Sequence, residues 1–274
     1  MASLGEVLLV ATLAGCATGL GALPTLVTDR VSHRVYDGAI GFAGGVMVGA
    51  AVFALVVPGL ELGSPWEVVV GVLAGGAFLL AANALLPHLH LRFRDDRLEG
   101  TAVVERSVGD LPPLEESRED ADRADDLRRA VLVGSAVTIH NVPEGLAVGI
   151  AFASGEAGLG FAIAAAIAVQ NVPDGFAMAV PAARAGVSRP KTVLYTTLSG
   201  GVPEPIAAAV GFSLVVLVTG LFPLAAGFAA GAMIAVVFRE LVPSSHGHGY
   251  ADTATATFVL GFAVMLVVDT VLAV

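Results

Sequence analysis

Residues 140–145 read His-Asn-Val-Pro-Glu-Gly, and residues 170–175 read Gln-Asn-Val-Pro-Asp-Gly. Each hexapeptide lies midway along an apolar run long enough to cross a bilayer, so His140, Glu144 and Asp174 sit where lipid makes polarity most expensive. An ionised side chain at the centre of a spanning helix costs about 2.5–3.5 kcal/mol on insertion scales, and such groups are functional by default. On a helix His140 and Glu144 are i, i+4 neighbours, and Asn141 stands three residues before Glu144, so all three share a face. Imidazole, carboxylate and amide oxygen together suit a divalent transition metal better than Mg²⁺ or an organic substrate.

Outward from these motifs, the chain is 274 residues long, 56% hydrophobic and only 14% charged, with a mean hydropathy of +0.83. That composition excludes a soluble domain and reads as a single polytopic, all-α integral membrane domain over 1–274. Thirty-three glycines fit helices that pack closely through small residues. One cysteine, Cys16, excludes a disulfide framework and a cysteine-based zinc site. The first apolar run lacks a positive leader and continues into an ordinary span, so it is read as a helix rather than a cleaved signal.

Hydropathy predicts eight transmembrane helices, at about 4–27, 38–60, 67–89, 130–154, 159–183, 192–220, 225–242 and 254–273. The 14 basic residues give them a direction. Arg30 and Arg34 lie in the first loop, eight arginines from Arg92 to Arg129 in the third, Arg184, Arg189 and Lys191 in the fifth, and Arg239 ends the seventh span. All fall on one side. The positive-inside rule makes that side cytoplasmic and both termini extracytoplasmic. Segment 91–129, which carries half of the acidic residues and Pro112-Pro113, is read as a charged, flexible cytoplasmic loop.

An internal repeat is visible. Gly41-Phe-Ala-Gly-Gly-Val-Met47 matches Gly227-Phe-Ala-Ala-Gly-Ala-Met233, and Thr12-Leu-Ala-Gly15 matches Thr197-Leu-Ser-Gly200. The matched spans run in opposite directions, as do those carrying the two hexapeptides. The expectation is an inverted repeat of three, two and three spans, an architecture that secondary transporters use with the site at mid-membrane on interrupted helices.

Depth decides whether the polar groups can meet. His140 with Glu144, Gln170 with Asp174, and Glu204 inside Gly-Gly-Val-Pro-Glu-Pro all fall near mid-span, and Met47 is close to the centre of span two. Pro143, Pro173, Pro203 and Pro205 each free a carbonyl one turn earlier. Asn141, Gln170 and Asn171 read equally well as interhelical hydrogen-bonding groups. By its chemistry Met47 is a packing residue. Glu240 beside Arg239 reads as an interfacial ion pair. His88, His90, His246 and His248 map to the arginine-rich side as solvated histidines or a weak metal exit site.

The paired hexapeptides, followed by a proline-flanked glutamate in the next span, resemble the ZIP (Zrt/Irt-like) divalent metal transporters, especially their prokaryotic branch. The resemblance covers all eight spans. It implies a first metal site of Met47, His140, Glu144, Gln170 and Asp174. It implies a second of Asn141, Glu144, Asn171, Asp174 and Glu204. No cofactor is implied: Zn²⁺, or Fe²⁺, Mn²⁺ or Cd²⁺, would be the substrate, carried into the cytoplasm. Spans one, four, five and six would move like an elevator against the rest, in a homodimer in the cell membrane, with no nucleic-acid partner. Glu240 would occupy a position that helps release metal inside. The chain departs from the common pattern in the shorter Asp174 and the neutral Asn171, which leaves the second site three carboxylates.

Two other functions remain open to the residues alone. A membrane-embedded metal-dependent hydrolase would need an open metal position and a general base, and His140 with Glu144 lacks the second histidine of His-Glu-x-x-His. A non-transporting metal sensor would bind metal without moving it.

Overall fold

The computed structural model describes residues 2–28, 31–90, 115–218 and 220–272, without the side chains of 83–90, 115–126, 128, 129, 132, 157 and 272. Among the described residues, eight helical segments are long and apolar enough to cross a bilayer. They are Leu4–Leu26, His33–Leu62, Pro65–Ala82, Val133–Ala153, Gly158–Arg184, Arg189–Leu217, Phe222–His246 and Ala251–Val271, called spans one to eight here. They match the eight expected runs. Of the charged segment 91–129, residues 91–114 lie outside the described part. Residues 115–129 begin the helix Glu115–Ala153, which continues into span four. The side chains of His88 and His90 are also outside it.

Local chemistry sets the ends. Ser64 precedes span three, and its backbone N–H donates to Glu67 Oε2 at 2.7 Å, so the glutamate caps the helix it opens. The turns after spans four and seven close through Gly155 and Gly249, whose φ values of 94° and 89° suit only glycine comfortably.

Burial orders the spans in layers. Span four is 72% buried, whereas spans three and eight are only 22% and 17% buried, which puts these two at the periphery. Packing relies on glycine. The face of Gly41 lies on the Ala254 carbonyl and that of Gly45 on the Phe258 carbonyl, joining span two to span eight. Gly227 lies on the Val68 carbonyl and Gly231 on the Val72 carbonyl, joining span seven to span three. Each contact of the second set is the first displaced by 186 residues, Gly41 to Gly227 and Val68 to Ala254, with the direction of the pairing reversed. Gly261 on Phe42 and Gly75 on Phe228 obey the same displacement.

The helix interruptions fall in the matched spans too. Span two passes from α-helix to a π-helical stretch at Ala50–Val56, and span seven does so at Val237–Leu241. Pro58 and Pro243 follow these stretches and cannot donate to the carbonyls four residues back, which favours the wider turn. Span one tightens to a 3-10 helix at Ala17–Leu26, while span six breaks at Val202, between Arg189–Gly201 and Pro203–Leu217. Spans four and five differ from the expected interrupted pattern. Pro143 and Pro173 sit inside unbroken helices.

Candidate metal centre

Spans one, four, five and six meet at the two hexapeptides. Gly145 seats the backbone of span four on Glu204, and Gly175 seats span five on Thr18. Gly15 and Gly200, the last residues of the second matched tetrapeptide pair, pack against each other between them. A methyl group at any of these positions would strike backbone or a short side chain.

Close approach brings the polar side chains together. Asn141 Nδ2 donates to the Ser199 carbonyl at 2.8 Å, and Asn171 Nδ2 donates to the Ala14 carbonyl at 2.9 Å. Ser199 and Ala14 hold the same place in the matched tetrapeptides, so the two asparagines make equivalent contacts on opposite sides of the centre. There is a reason for one of them in the chain itself. The Ser199 carbonyl would pair in a regular helix with the N–H of residue 203, which is Pro203 and has none. Asn171 Nδ2 also reaches Glu204 Oε1 at 2.7 Å, and Gln170 Nε2 reaches Glu144 Oε1 at 2.6 Å.

These bonds fix which way each amide points, since a backbone carbonyl or carboxylate only accepts. The amide nitrogens are spent on neighbours; the oxygens are not. Asn141 Oδ1, Gln170 Oε1, Asn171 Oδ1, Glu144 Oε2 and Glu204 Oε2 are all buried without a hydrogen-bond partner. Buried oxygens so seldom go unpaired that five in one place require a shared explanation, and a cation among their lone pairs provides one.

The eight positions expected to bind metal are each no more than 4% exposed. Glu144 lies within electrostatic range of Glu204 and Asp174, and Asp174 within range of His140 and Glu240. Met47 is buried in the apolar core, and the hydrogen-bonded cluster forms without it. Among the described residues, no three histidine, cysteine, aspartate or glutamate side chains converge as a ready cage. The cluster is instead amide-rich, with two of its carboxylates tied down by amide N–H groups.

His140 makes the contact that sequence reading missed. Its Nε2 comes within 2.6 Å of Glu240 Oε2, off the line of a hydrogen bond, and Nδ1 has no partner. Glu240 stands on the π-helical stretch of span seven and reaches inward to His140, where the sequence had suggested an interfacial pair with Arg239. Only Pro243 hinted at the π-helical stretch. His246 is engaged with the Val242 carbonyl at 3.0 Å and Thr255 at 3.4 Å, and His248 with Asp37 at 2.7 Å.

The ZIP zinc transporter family profile matches residues 4–269, nearly the whole chain. The chain belongs to the ZIP family. It is 35% identical to the zinc transporter GufA of Myxococcus xanthus, over 97% of this chain and 98% of that protein. It is 32% identical to the zinc transporter ZIPB of Bordetella bronchiseptica, over 93% and 78%, and 34% identical to human zinc transporter ZIP11, over 92% and 93%. Membership makes this ZIP chain a multi-pass membrane transporter and not an enzyme, which sets the hydrolase aside.

Proposed function

We propose that the chain imports a divalent transition metal, zinc first among them, into the cytoplasm across the cell membrane. The observation that carries this reading is the set of five buried, unpartnered oxygens beside the unpartnered His140 Nδ1. Amide, carboxylate and imidazole donors of this kind match zinc and its first-row neighbours. Met47, His140, Asn141, Glu144, Gln170, Asn171, Asp174 and Glu204 are the proposed ligands. The names of the relatives support zinc as the substrate.

The mechanism is alternating access. Hydrated metal arriving from outside exchanges water for these donors, and its charge offsets the repulsion between Glu144 and Asp174. The Gln170–Glu144 and Asn171–Glu204 bonds leave the other oxygen of each partner free, so a metal held among those oxygens would tie spans four, five and six together without breaking them. The glycine contacts group spans one, four, five and six around the site and pair two with eight and three with seven, which supports treating these as two bodies. The constant displacement relating these contacts supports an inverted repeat of three, two and three spans, with both termini outside. We read the first body as sliding against the second, within a homodimer.

Vesicles containing a zinc-sensitive dye test the reading. Saturable uptake of external Zn²⁺ by the wild type supports it. A protein that binds Zn²⁺ in detergent yet moves none would be a sensor.

A further inference from the structure

Glycine sets where spans four and six touch. Gly145 lies on Glu204 and Gly149 on the Ala208 carbonyl, which joins the two helices over the half farther from Arg189 and Lys191. Toward the end that carries those basic residues, span four turns Gly134 to Met178 of span five instead. A groove follows the seam between spans four and six from that end. It consists of two cavities of about 530 and 740 Å³, which share Thr138 and Tyr195 on their walls and so run into one another.

The groove is long, apolar and open to the side. Along span four it extends from Leu127 to Leu146. That is roughly 28 Å at about 1.5 Å per residue, close to the thickness of a bilayer's hydrocarbon core. Val142, Leu198, Val202, Ile206 and Val210 line its inner part, and the last four are 46–61% exposed. Thr138 and Ser199 spend their hydroxyls on the Gly134 and Thr196 carbonyls, each at 2.7–2.8 Å. Ordered water needs two to four polar partners, so a wall of this kind suits hydrocarbon.

Charge at the mouth distinguishes one lipid from another. Val187 and Thr192 line the groove, and between them Arg189 and Lys191 are both exposed. Span six begins there, and its N-cap Ser188 makes no side-chain hydrogen bond, so the positive end of the helix is left to an external anion. Basic residues beside a gap between spanning helices are the usual mark of an anionic headgroup site. We propose that this groove binds one anionic phospholipid, with an acyl chain along the seam and the phosphate at Arg189 and Lys191. The proposal needs only the bilayer and does not rest on the transport reading. The chain would lie across the break at Val202, bracing span six against span four beside the Ser199 carbonyl that Asn141 holds.

The test is tryptophan quenching by brominated lipid, with the full chain reconstituted in bilayers. In a Trp66→Phe background, which removes the one tryptophan, Leu198→Trp reports from the groove and Leu260→Trp from the exposed face of span eight. Both stand equally far into their helices, from Arg189 and from Ala251. Brominated phosphatidylglycerol should quench Leu198→Trp at a mole fraction about fivefold or more below that needed with brominated phosphatidylcholine, and the preference at Leu260→Trp should stay under about twofold. Arg189→Gln with Lys191→Gln should bring the groove reporter down to the level of Leu260→Trp. Tyr195→Trp repeats the measurement if Leu198→Trp folds poorly. An equal headgroup preference at both positions, or a groove preference that survives loss of both basic side chains, overturns the proposal.

Discussion

His140 Nε2 and Glu240 Oε2 lie 2.6 Å apart and join span four to span seven, a side-chain contact between the spans around the site and one outside them. The imidazole that would receive metal on Nδ1 thus faces a carboxylate of span seven through Nε2. On the proposed mechanism this pair would connect substrate binding to relative movement of the two groups of spans.

Glu240→Gln removes the charge and keeps the shape. Maximal Zn²⁺ uptake should fall several-fold, while detergent Zn²⁺ affinity changes less than threefold. Uptake kinetics and equilibrium titration on one preparation separate the two. An affinity loss as large as the rate loss would make Glu240 a ligand rather than a link between bodies.

Tyr36 and Phe176 face each other across the bodies at 6.3 Å, whereas Phe53 and Phe262 meet at 5.2 Å within the pair formed by spans two and eight. In a Cys16→Ser background, oxidation of the Tyr36→Cys, Phe176→Cys pair should stop uptake, and reduction should restore it. The same treatment of the Phe53→Cys, Phe262→Cys pair should leave uptake in place. Equal tolerance of both cross-links would contradict movement between the bodies.

Asn141→Ala strands the Ser199 carbonyl that Pro203 cannot serve. An unsatisfied buried group costs about 1–3 kcal/mol, so the unfolding midpoint in detergent should drop by several degrees. Asn171→Asp instead adds a carboxylate beside Glu204. It should lower the midpoint without metal and recover more of it with Zn²⁺ than the wild type does, as differential scanning would show.

Gly145→Ala and Gly175→Ala place a methyl group on backbone of spans six and one, and should yield little folded protein. Gly76→Ala is the control, because its added carbon meets nothing nearer than the Gly231 carbonyl at 3.7 Å. That variant should match or exceed wild-type yield on size-exclusion chromatography, since alanine favours a helix over glycine by roughly 0.5–1 kcal/mol.

Much of this was legible in the sequence because a bilayer makes exceptions conspicuous. Apolar length marked the eight spans, and the polar side chains of the two hexapeptides stood out against it. The matched Gly41 and Gly227 stretches announced contacts that the backbone makes with the same displacement. What escaped depended on rotation and direction. The inward reach of Glu240 falls on a π-helical stretch, and no periodicity along span seven encodes it. The asparagines read as either ligands or packing groups, and the structure shows why: each gives its nitrogen to the backbone and keeps its oxygen for the centre. Pro143 and Pro173 promised breaks, yet the helices that carry them run on unbroken. Asp37 and His248 are 211 residues apart, so only the fold could bring them together.

The central claim is that metal crosses the membrane through the cluster around Glu144. Its most direct test is Zn²⁺ uptake into vesicles containing wild type, His140→Ala or Glu144→Ala, each shown to be folded and inserted. The account predicts saturable uptake by the wild type, at least a tenfold loss in His140→Ala and none above empty vesicles in Glu144→Ala. Near-normal uptake by Glu144→Ala would contradict it.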